Sequence, residues 1–311
     1  LVPELYSESN PTGIRATVYD HTVNVYGLVE GQSNSQRPLD NVGVQYGLSA
    51  LNDGVITVVQ FLKLNSGIGG FDRDMNHVAE RHRADPDARE KAFESGRILF
   101  GGAGLASTPI IDYRSYRDHQ EKGDIHMIVH QFSTRQRLLM ANGHSDNHIM
   151  QVGGLWGFTE DSPDLGNLFR LMDSWLMAIA NDEGETDRAS KVVINKPISL
   201  VDACWDNNSD QHLKIEQVQS FSGTNKCSQL YPAYPTPRHV AGAPLANNIV
   251  SCNLREVNLA DYRVSFDQLQ FAELNRIFPD GVCDWARGDI SGAVHQGTWA
   301  SFGPSPVNKL Y

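Results

Sequence analysis

The segment Thr108-Pro109-Ile110-Ile111-Asp112-Tyr113 says most about the fold. It is a short apolar run that follows a glycine-rich stretch at residues 101–104 and contains a carboxylate at its end. Buried parallel strands are near-continuous apolar runs, and they deliver functional groups to the carboxyl edge of their sheet. The segment therefore predicts a buried parallel strand with Asp112 at its end.

Helical and strand patterns alternate after this segment. Residues 124–140 have an amphipathic helical pattern, residues 148–152 have the pattern of a second strand, and residues 165–180 predict a long helix with one apolar face. This alternation predicts parallel strands joined by right-handed crossovers, and hence an α/β fold. Two strands are too few for a stable sheet. We expect the other strands upstream of Leu1 or, as the alternative, in the unassigned N-terminal stretches.

The remaining sequence is less regular. Residues 55–65, 85–100 and 266–277 have helical patterns, whereas residues 42–48 suit either a strand or one face of a helix. Residues 1–35 mix Pro, Gly, Ser and Asn with short apolar stretches and permit no assignment.

These patterns predict three parts of the chain. Residues 1–107 are expected to form a lid-like helical part, and residues 108–190 to contribute late strands and helices of a sheet domain. Residues 191–311 contain all four cysteines and are Pro-rich in places, so we expect them to wrap the sheet domain.

Composition and charge exclude several classes of partner. A net charge of −11 repels a phosphate backbone, and the densest basic stretch, at residues 81–89, is interleaved with two Asp. The longest apolar run, at residues 171–180, is interrupted by Asp173 and is too short to span a bilayer. We expect neither a nucleic acid nor a membrane as a partner. The glycine-rich stretches do not fit a dinucleotide motif and no metal-binding motif is present, so we expect no cofactor.

The cysteines indicate the compartment. They lack the CxxC spacing of zinc sites, and two disulfides in an oxidising environment are favoured over four free thiols. The chain begins with Leu1 and has no signal-peptide pattern, so we expect a processed product of an exported precursor. The expected location is therefore secreted or periplasmic. The cysteines are Cys204, Cys227, Cys252 and Cys283.

Six motifs resemble a largely uncharacterised family of secreted bacterial proteins with an α/β-hydrolase-like fold. That family is more distantly similar to tannase-like proteins and to hydroxybutyrate-oligomer esterases. The resemblance covers nearly the whole chain. The motifs are residues 37–48 (RPLDNVGVQYGL), 65–72 (NSGIGGFD), 108–116 (TPIIDYRSY), 123–127 (GDIHM), 200–205 (LVDACW) and 278–285 (FPDGVCDW).

The resemblance implies a longer full-length protein whose Gly-rich Ser elbow lies before Leu1. It also implies disulfides between Cys204 and Cys227 and between Cys252 and Cys283. A nucleophile elbow is a turn between a strand and a helix, with a small residue two positions before and two positions after its Ser. Ser49 and Ser145 come nearest, but Leu51 and Asn147 occupy the second small position. The chain therefore has no serine that meets the requirement in full.

The candidate acids of a catalytic triad lie in and just after the predicted strand that contains Asp112. In α/β-hydrolases the chain order is Ser, acid, His, with the acid after a late strand and the His after the last one. Asp112, Asp118 and Asp124 are the candidate acids, and Asp112 and Asp124 are preferred over Asp118. The alternative for each is a loop carboxylate or, for Asp124, a helix N-cap.

The histidine of the triad is harder to assign. No His follows the strand at residues 148–152 until His212. His126 is the first candidate because it lies next to Asp124 in the GDIHM motif, and His144 is the second. Surface or core roles are the preferred interpretation of His130 and His148.

The predicted function is ester hydrolysis through an acyl-enzyme, with the nucleophilic Ser upstream of this chain. The expected partners are a small-molecule or oligomeric ester and an N-terminal segment or chain of the same protein. Two alternatives remain open at the level of sequence. The first is that the chain is a non-catalytic hydrolase-like binding protein. The second is that it is one chain of a processed two-chain hydrolase acting on an amide or a polyester.

Overall fold

The computed structural model describes residues 10, 13, 23–121, 123–155, 163–208 and 212–295. The chain divides into two compact units. The helical unit comprises Leu1–Leu99 and Pro237–Tyr311, and the sheet unit comprises Phe100–Thr236. The predicted three-part division, and the lid role of its first part, stay predictions.

The described residues form short helices and strands. The helices are α1 (Val23–Tyr26), α2 (Leu48–Asn52), α3 (Val58–Gly67), α4 (Pro86–Glu94), α5 (Val129–Asn142), α6 (Pro163–Ala180), α7 (Arg188–Ile194), α8 (Lys226–Leu230), α9 (Pro237–Val240) and α10 (Gln268–Ile277). The strands are β1 (Gly70–Phe71), β2 (His77–Val78), β3 (Ile110–Arg114), β4 (His148–Val152), β5 (Ala203–Asp206), β6 (Leu213–Glu216), β7 (Cys252–Arg255) and β8 (Val282–Asp289).

The sheet unit contains a four-stranded sheet with the order β3-β4-β5-β6. β3 and β4 pair in parallel from Ile110 opposite His148 to Arg114 opposite Val152. β5 is parallel to β4, and β6 is antiparallel to β5. The two predicted strands and the mixed α/β class are confirmed. β3 differs from the prediction in being only partly buried and in continuing two residues beyond Asp112.

β5 and β6 correct one expectation of the sequence analysis. Additional strands were expected upstream or in the N-terminal part, but these two lie in the segment predicted as a wrap. β5 has only four residues, of which three are buried, so it has no alternating pattern by which a strand is recognised.

The crossover helices pack on the sheet as the alternation predicts. α6 packs against β4 and α7 through a cluster around Trp175, whose indole Nε1 donates to the Val192 carbonyl at 2.8 Å. α5 begins at Val129, five residues later than predicted. The reason is that Asp118 accepts the Ile128 N–H at 2.8 Å, which fixes the start of the helix there. No helix in the described ranges has the length and apolarity needed to cross a bilayer.

One ion pair links α5 to the sheet. Arg135 donates from both terminal nitrogens to Asp202, at 2.5 and 2.8 Å, and also donates to the His148 carbonyl at 2.9 Å. Asp202 in turn accepts the Met150 N–H at 2.9 Å and the Gln219 N–H at 3.0 Å. This pair therefore joins one helix, the centre of β4 and the segments that flank β5 and β6.

The helical unit has its own core, in which α2, α3 and α10 pack around Phe61 and Leu274. A capping box between Thr57 and Gln60 starts α3 at Val58, three residues later than predicted. α4 ends at Glu94 because Gly96 has a φ of 71°, so the predicted extension to residue 100 is wrong. α10 is confirmed.

Residues 42–48 form neither predicted structure, since turns with positive φ at Gly43 and Gly47 break the segment. Both implied disulfides are confirmed. Cys204 and Cys227 join β5 to α8, and Cys252 and Cys283 join β7 to β8.

Replacement of Arg135 by Met is expected to lower the free energy of unfolding by about 3–5 kcal/mol, because it leaves a buried carboxylate without its partner. The side chains of Arg135 and Asp202 are only 16% and 9% exposed. Chemical denaturation measures the change. Lys214→Met is the control, since its pair with Glu216 is solvent-exposed and its loss is expected to cost less than about 1 kcal/mol. Equal costs for the two variants would contradict the role of the buried pair.

The same pair predicts a pH dependence. Burial raises the pKa of Asp202, but the hydrogen bonds and the charge of Arg135 outweigh burial and bring this pKa below its ordinary value. A carboxyl whose pKa is lowered by folding stabilises the protein above its unfolded pKa of about 4, and this contribution is lost as the pH falls through the folded value. The stability difference between the wild type and Asp202→Asn should therefore be largest at neutral pH and shrink in acid. Denaturation curves from pH 7 down to about pH 3 measure it, and a constant difference would refute the linkage.

Candidate active site at the carboxyl edge of the sheet

The three parallel strands end at one edge of the sheet, where polar and aromatic side chains meet. β3 ends at Tyr113 and Arg114, β4 is followed by Gly153 and Gly154, and β5 ends at Trp205 and Asp206. In open α/β sheets, ligands bind in the crevice outside the carboxyl ends of the strands. This edge is therefore the first place to look for a functional site.

An aspartate and a histidine pair at this edge. His212 Nε2 lies 2.8 Å from Asp164 Oδ2, and the two side chains are 25% and 14% exposed. The same carboxylate oxygen accepts the Leu155 N–H at 2.9 Å. Asp164 lies in the first turn of α6, downstream of β4, and His212 follows β5. Neighbouring parallel strands thus provide the two members of an acid–histidine pair.

The backbone of His212 is strained. Its φ is 46°, in the left-handed region that non-glycine residues seldom adopt. Such conformations persist where the surrounding structure fixes them, and they cluster at functional sites. The strain is a second reason to consider His212 as a functional residue.

Aromatic rings hold the pair in place. The imidazole of His212 stacks on Trp205 with ring centroids 6.2 Å apart and planes 19° apart. Trp205 in turn meets the ring of Tyr113 edge-on at 5.9 Å. The hydroxyl of Tyr113 donates to the Leu155 carbonyl at 3.0 Å, and Leu155 also contacts Asp164. Burial, and then the charge of Asp164, raise the pKa of Tyr113 well above its ordinary value, so this hydroxyl stays a donor.

Gly153 and Gly154 allow this packing. A Cβ at Gly153 would lie 2.2 Å from the Tyr231 hydroxyl oxygen, and a Cβ at Gly154 would lie 2.2 Å from that of Tyr113. Gly153 also has a φ of 83°, which disfavours other residues. The glycine pair that ends β4 is thus required by the close approach of two tyrosine rings.

Asp112 lies within a buried polar network. Its carboxylate accepts from Arg114 Nε at 3.0 Å and from Gln131 Nε2 at 3.2 Å, and His148 Nε2 lies 3.7 Å away. Burial raises the pKa of Asp112, but the hydrogen bond and charge of His148 and the charge of Arg114 bring it below its ordinary value. His148 is itself fully buried, and its Nδ1 accepts from Arg135 at 3.3 Å. Asp112 is therefore a charged group that binds structural partners.

Asp124 and His126 form a second acid–histidine pair. His126 Nδ1 lies 2.7 Å from Asp124 Oδ1, and the backbone N–H of His126 donates to the same oxygen. These bonds hold the pKa of Asp124 below its ordinary value. The His126 side chain is 73% exposed and lines a cleft of about 590 Å³ together with Asp112. Three of the four preferred candidates from the sequence, Asp112, Asp124 and His126, thus lie around one cleft.

The remaining candidates lie elsewhere. Asp118 caps the start of α5 through Ile128, and burial raises the pKa of its carboxyl. His130 lies 3.2 Å from the Ile125 carbonyl, and burial followed by the charge of Arg114 lowers its pKa. His144 precedes β4, which places it toward the opposite, amino edge of the sheet.

The comparisons with known proteins identify a family. The model of a tannase-like family of unknown function (DUF6351) matches residues 3–293. The chain belongs to this family. The tannase-like resemblance inferred from the six motifs is thereby confirmed. No curated protein and no solved structure matches the chain.

Family membership directs attention to hydrolase chemistry. The described residues contain no group of three or more His, Cys, Asp or Glu side chains arranged to hold a metal ion.

Sequence reasoning overlooked Asp164 and His212. The signal that could have found them is the LVDACW motif: once ACWD is taken as the last parallel strand, His212 is the first histidine after it.

Replacement of Gly154 by Ala is expected to displace the Tyr113 ring and lower the free energy of unfolding by about 1–3 kcal/mol. Gly166→Ala within α6 is the matched control. Its Cβ would meet nothing closer than 3.8 Å, so this change should stabilise the helix by about 0.5–1 kcal/mol. Chemical denaturation measures both, and near-ultraviolet circular dichroism reports the tyrosine environment. A neutral Gly154→Ala would show that the ring contact is not needed.

Proposed function

We propose that this chain provides the acid and the general base of a serine ester hydrolase. In this proposal Asp164 orients His212, and His212 takes the proton of a serine that lies upstream of the chain. The observation that carries the proposal is the 2.8 Å contact between His212 and Asp164 at the carboxyl ends of adjacent parallel strands. Membership of a tannase-like family supports ester hydrolysis as the reaction class.

The order of these residues supports the assignment. In α/β-hydrolases the acid precedes the histidine in the chain, and both follow late strands. Asp164 follows β4 and His212 follows β5, and the antiparallel β6 ends the parallel part of the sheet beyond β5. A parallel strand that carries the nucleophilic elbow would therefore pair with β3, on the other side. That location would bring the serine to the same edge as the pair.

The chemistry uses groups with defined tasks. The imidazole of His212 accepts the serine proton while the serine oxygen attacks the ester carbonyl, and Asp164 stabilises the imidazolium that forms. Backbone amides stabilise the oxyanion. The imidazolium then protonates the departing alcohol, which leaves an acyl-enzyme. Water, deprotonated by the same imidazole, releases the carboxylic acid and restores the serine.

The pair formed by Asp124 and His126 is the alternative. Both residues follow β3, whereas the hydrolase arrangement takes the acid and the histidine from two strands. The side chain of His126 is also three times as exposed as that of His212 (73% against 25%), so its imidazole is less well oriented. Asp112, the other candidate acid, already binds Arg114 and Gln131 through Oδ1. These differences favour Asp164 and His212.

The proposal includes the setting of the enzyme. The nucleophile belongs to an N-terminal segment or chain of the same protein, because the sequence offers no serine with the elbow spacing between a strand and a helix. Ser33 has the spacing, with Gly31 and Ser35, but it lies in a turn. Two disulfides fit an oxidising compartment, secreted or periplasmic. The substrate is a small-molecule or oligomeric ester.

Replacement of His212 by Gln in the full-length protein is expected to lower kcat/KM for a chromogenic ester by about 10³- to 10⁴-fold, because the general base is lost. Asp164→Asn should cost a similar factor. Labelling of the serine by a fluorophosphonate should fall in parallel, since only an activated serine reacts.

His126→Gln and Asp124→Asn test the alternative pair and should keep fluorophosphonate labelling and kcat within a few-fold of wild type. Changes in KM are not diagnostic, because His126 lines the neighbouring cleft. A collapse of activity in these two variants with full activity in His212→Gln would transfer the general base to His126. No labelling of the wild-type protein would favour the non-catalytic binding protein instead.

A further inference from the structure

The cleft at the end of β3 is rich in cationic side chains. Its volume is about 590 Å³, and two arginines, one histidine and one aspartate are among the six residues that line it. The chain as a whole carries a net charge of −11. This cleft therefore has more cationic than anionic side chains in a chain that is acidic overall. The lining residues are Asp112, Tyr113, Arg114, Ser115, Arg117 and His126.

Most of the charges in this cleft have a hydrogen-bonded partner, whereas Arg117 interacts with Asp124 through charge. Asp112 is matched by Arg114, and His126 by Asp124. The guanidinium of Arg117 makes no hydrogen bond or ion pair with any residue in the described ranges. Arg114 binds Asp112 through Nε alone, so its two terminal nitrogens remain available to a ligand. The cleft thus presents unused N–H donors of two guanidinium groups.

The neighbouring titratable groups are consistent with a positive field. Burial is the main cause of the lowered pKa of His130, and the charges of Arg114 and Arg137 lower it further. The pKa of Asp124 is lowered mainly by its hydrogen bonds from His126, and also by the charge of Arg117. The charge of an arginine is therefore a contributing cause of each shift, after burial or hydrogen bonding.

We propose that this cleft binds a carboxylate group of the ester substrate through Arg114 and Arg117. Guanidinium groups match carboxylates by paired N–H donors, which favours this ligand. The carboxylates of Asp112 and Asp124 are counter-charges of these arginines, and they disfavour a phosphate dianion more than a monoanion. The inference deepens the proposed function, because Tyr113 both lines the cleft and contacts Leu155, whose N–H binds Asp164. The substrate class is thus an ester that carries a separate carboxylate.

The test measures binding, so that it does not depend on catalysis. Glutaramate and glutaramide have nearly the same shape, but only glutaramate is charged, and neither contains an ester. Saturation-transfer NMR on the full-length protein gives a dissociation constant for each and for inorganic phosphate. We expect saturable binding of glutaramate, binding of glutaramide weaker by at least about 10-fold, and a loss of affinity as salt is added.

Variants locate the site. Arg117→Gln should weaken glutaramate binding by at least about 10-fold, and Arg117→Lys should weaken it less because the charge is kept. Arg117 is exposed and its side chain makes no hydrogen bond or ion pair among the described residues, so its replacement should leave the circular dichroism spectrum unchanged. Arg170→Gln on α6 changes the net charge equally and should bind like wild type. Arg114→Gln should weaken binding as well, with its fold checked in the same way.

The outcomes separate this inference from the proposed function. No saturable binding of glutaramate, equal binding of glutaramide, tighter binding of phosphate, or wild-type affinity in Arg117→Gln would each overturn the carboxylate site. Loss of activity in His212→Gln together with such a result would leave the hydrolase proposal standing. Specific glutaramate binding by a protein that no fluorophosphonate labels would retain the site and remove the hydrolase.

Discussion

The sheet unit depends on one buried carboxylate. Asp202 accepts four hydrogen bonds, two from Arg135 and one each from the backbone of Met150 and Gln219. Burying two charges is costly, and only a bidentate geometry with additional donors offsets the lost hydration. β4 and β5 share just two register pairs, from Gln151 opposite Ala203 onward. Since Met150 would face residue 202 in a longer ladder, the Asp202 side chain replaces a backbone acceptor and extends the pairing of a very short strand.

The alignment of these strands determines what meets at their other ends. Because β5 is fixed beside β4, Trp205 lies near Tyr113, and Asn207 donates to the Gly153 carbonyl at 2.6 Å. The disulfide from Cys204 to Cys227 brings α8 to β5, and Tyr231 at the end of α8 donates to the Trp205 carbonyl at 2.6 Å. The disulfide thus has a structural consequence beyond lowering the entropy of the unfolded chain. It holds Tyr231 where its ring packs over Gly153.

The sequence predicts those parts of this arrangement that local patterns encode. β3, β4 and the crossover helices follow from apolar runs and helical periodicity, and Asp124 and His126 are near each other simply because they are two residues apart. Asp164 and His212 are separated by 48 residues, and their contact depends on the pairing of β4 with β5. Four residues with three buried side chains carry no period, so that pairing, and the acid–histidine contact with it, was not predictable from pattern.

The site and the cleft are coupled through β3. Tyr113 faces the cleft, packs edge-on against Trp205 and binds the carbonyl of Leu155, so a shift of this strand would move both regions together. The side of β3 away from β4 has no strand partner among the residues that the structure describes. If the serine elbow follows a strand on that side, as proposed, the ester carbonyl would lie between the serine and His212. A substrate carboxylate bound by Arg114 and Arg117 would then hold the acid portion of the ester at the end of β3. That position is next to the strand that the elbow would follow.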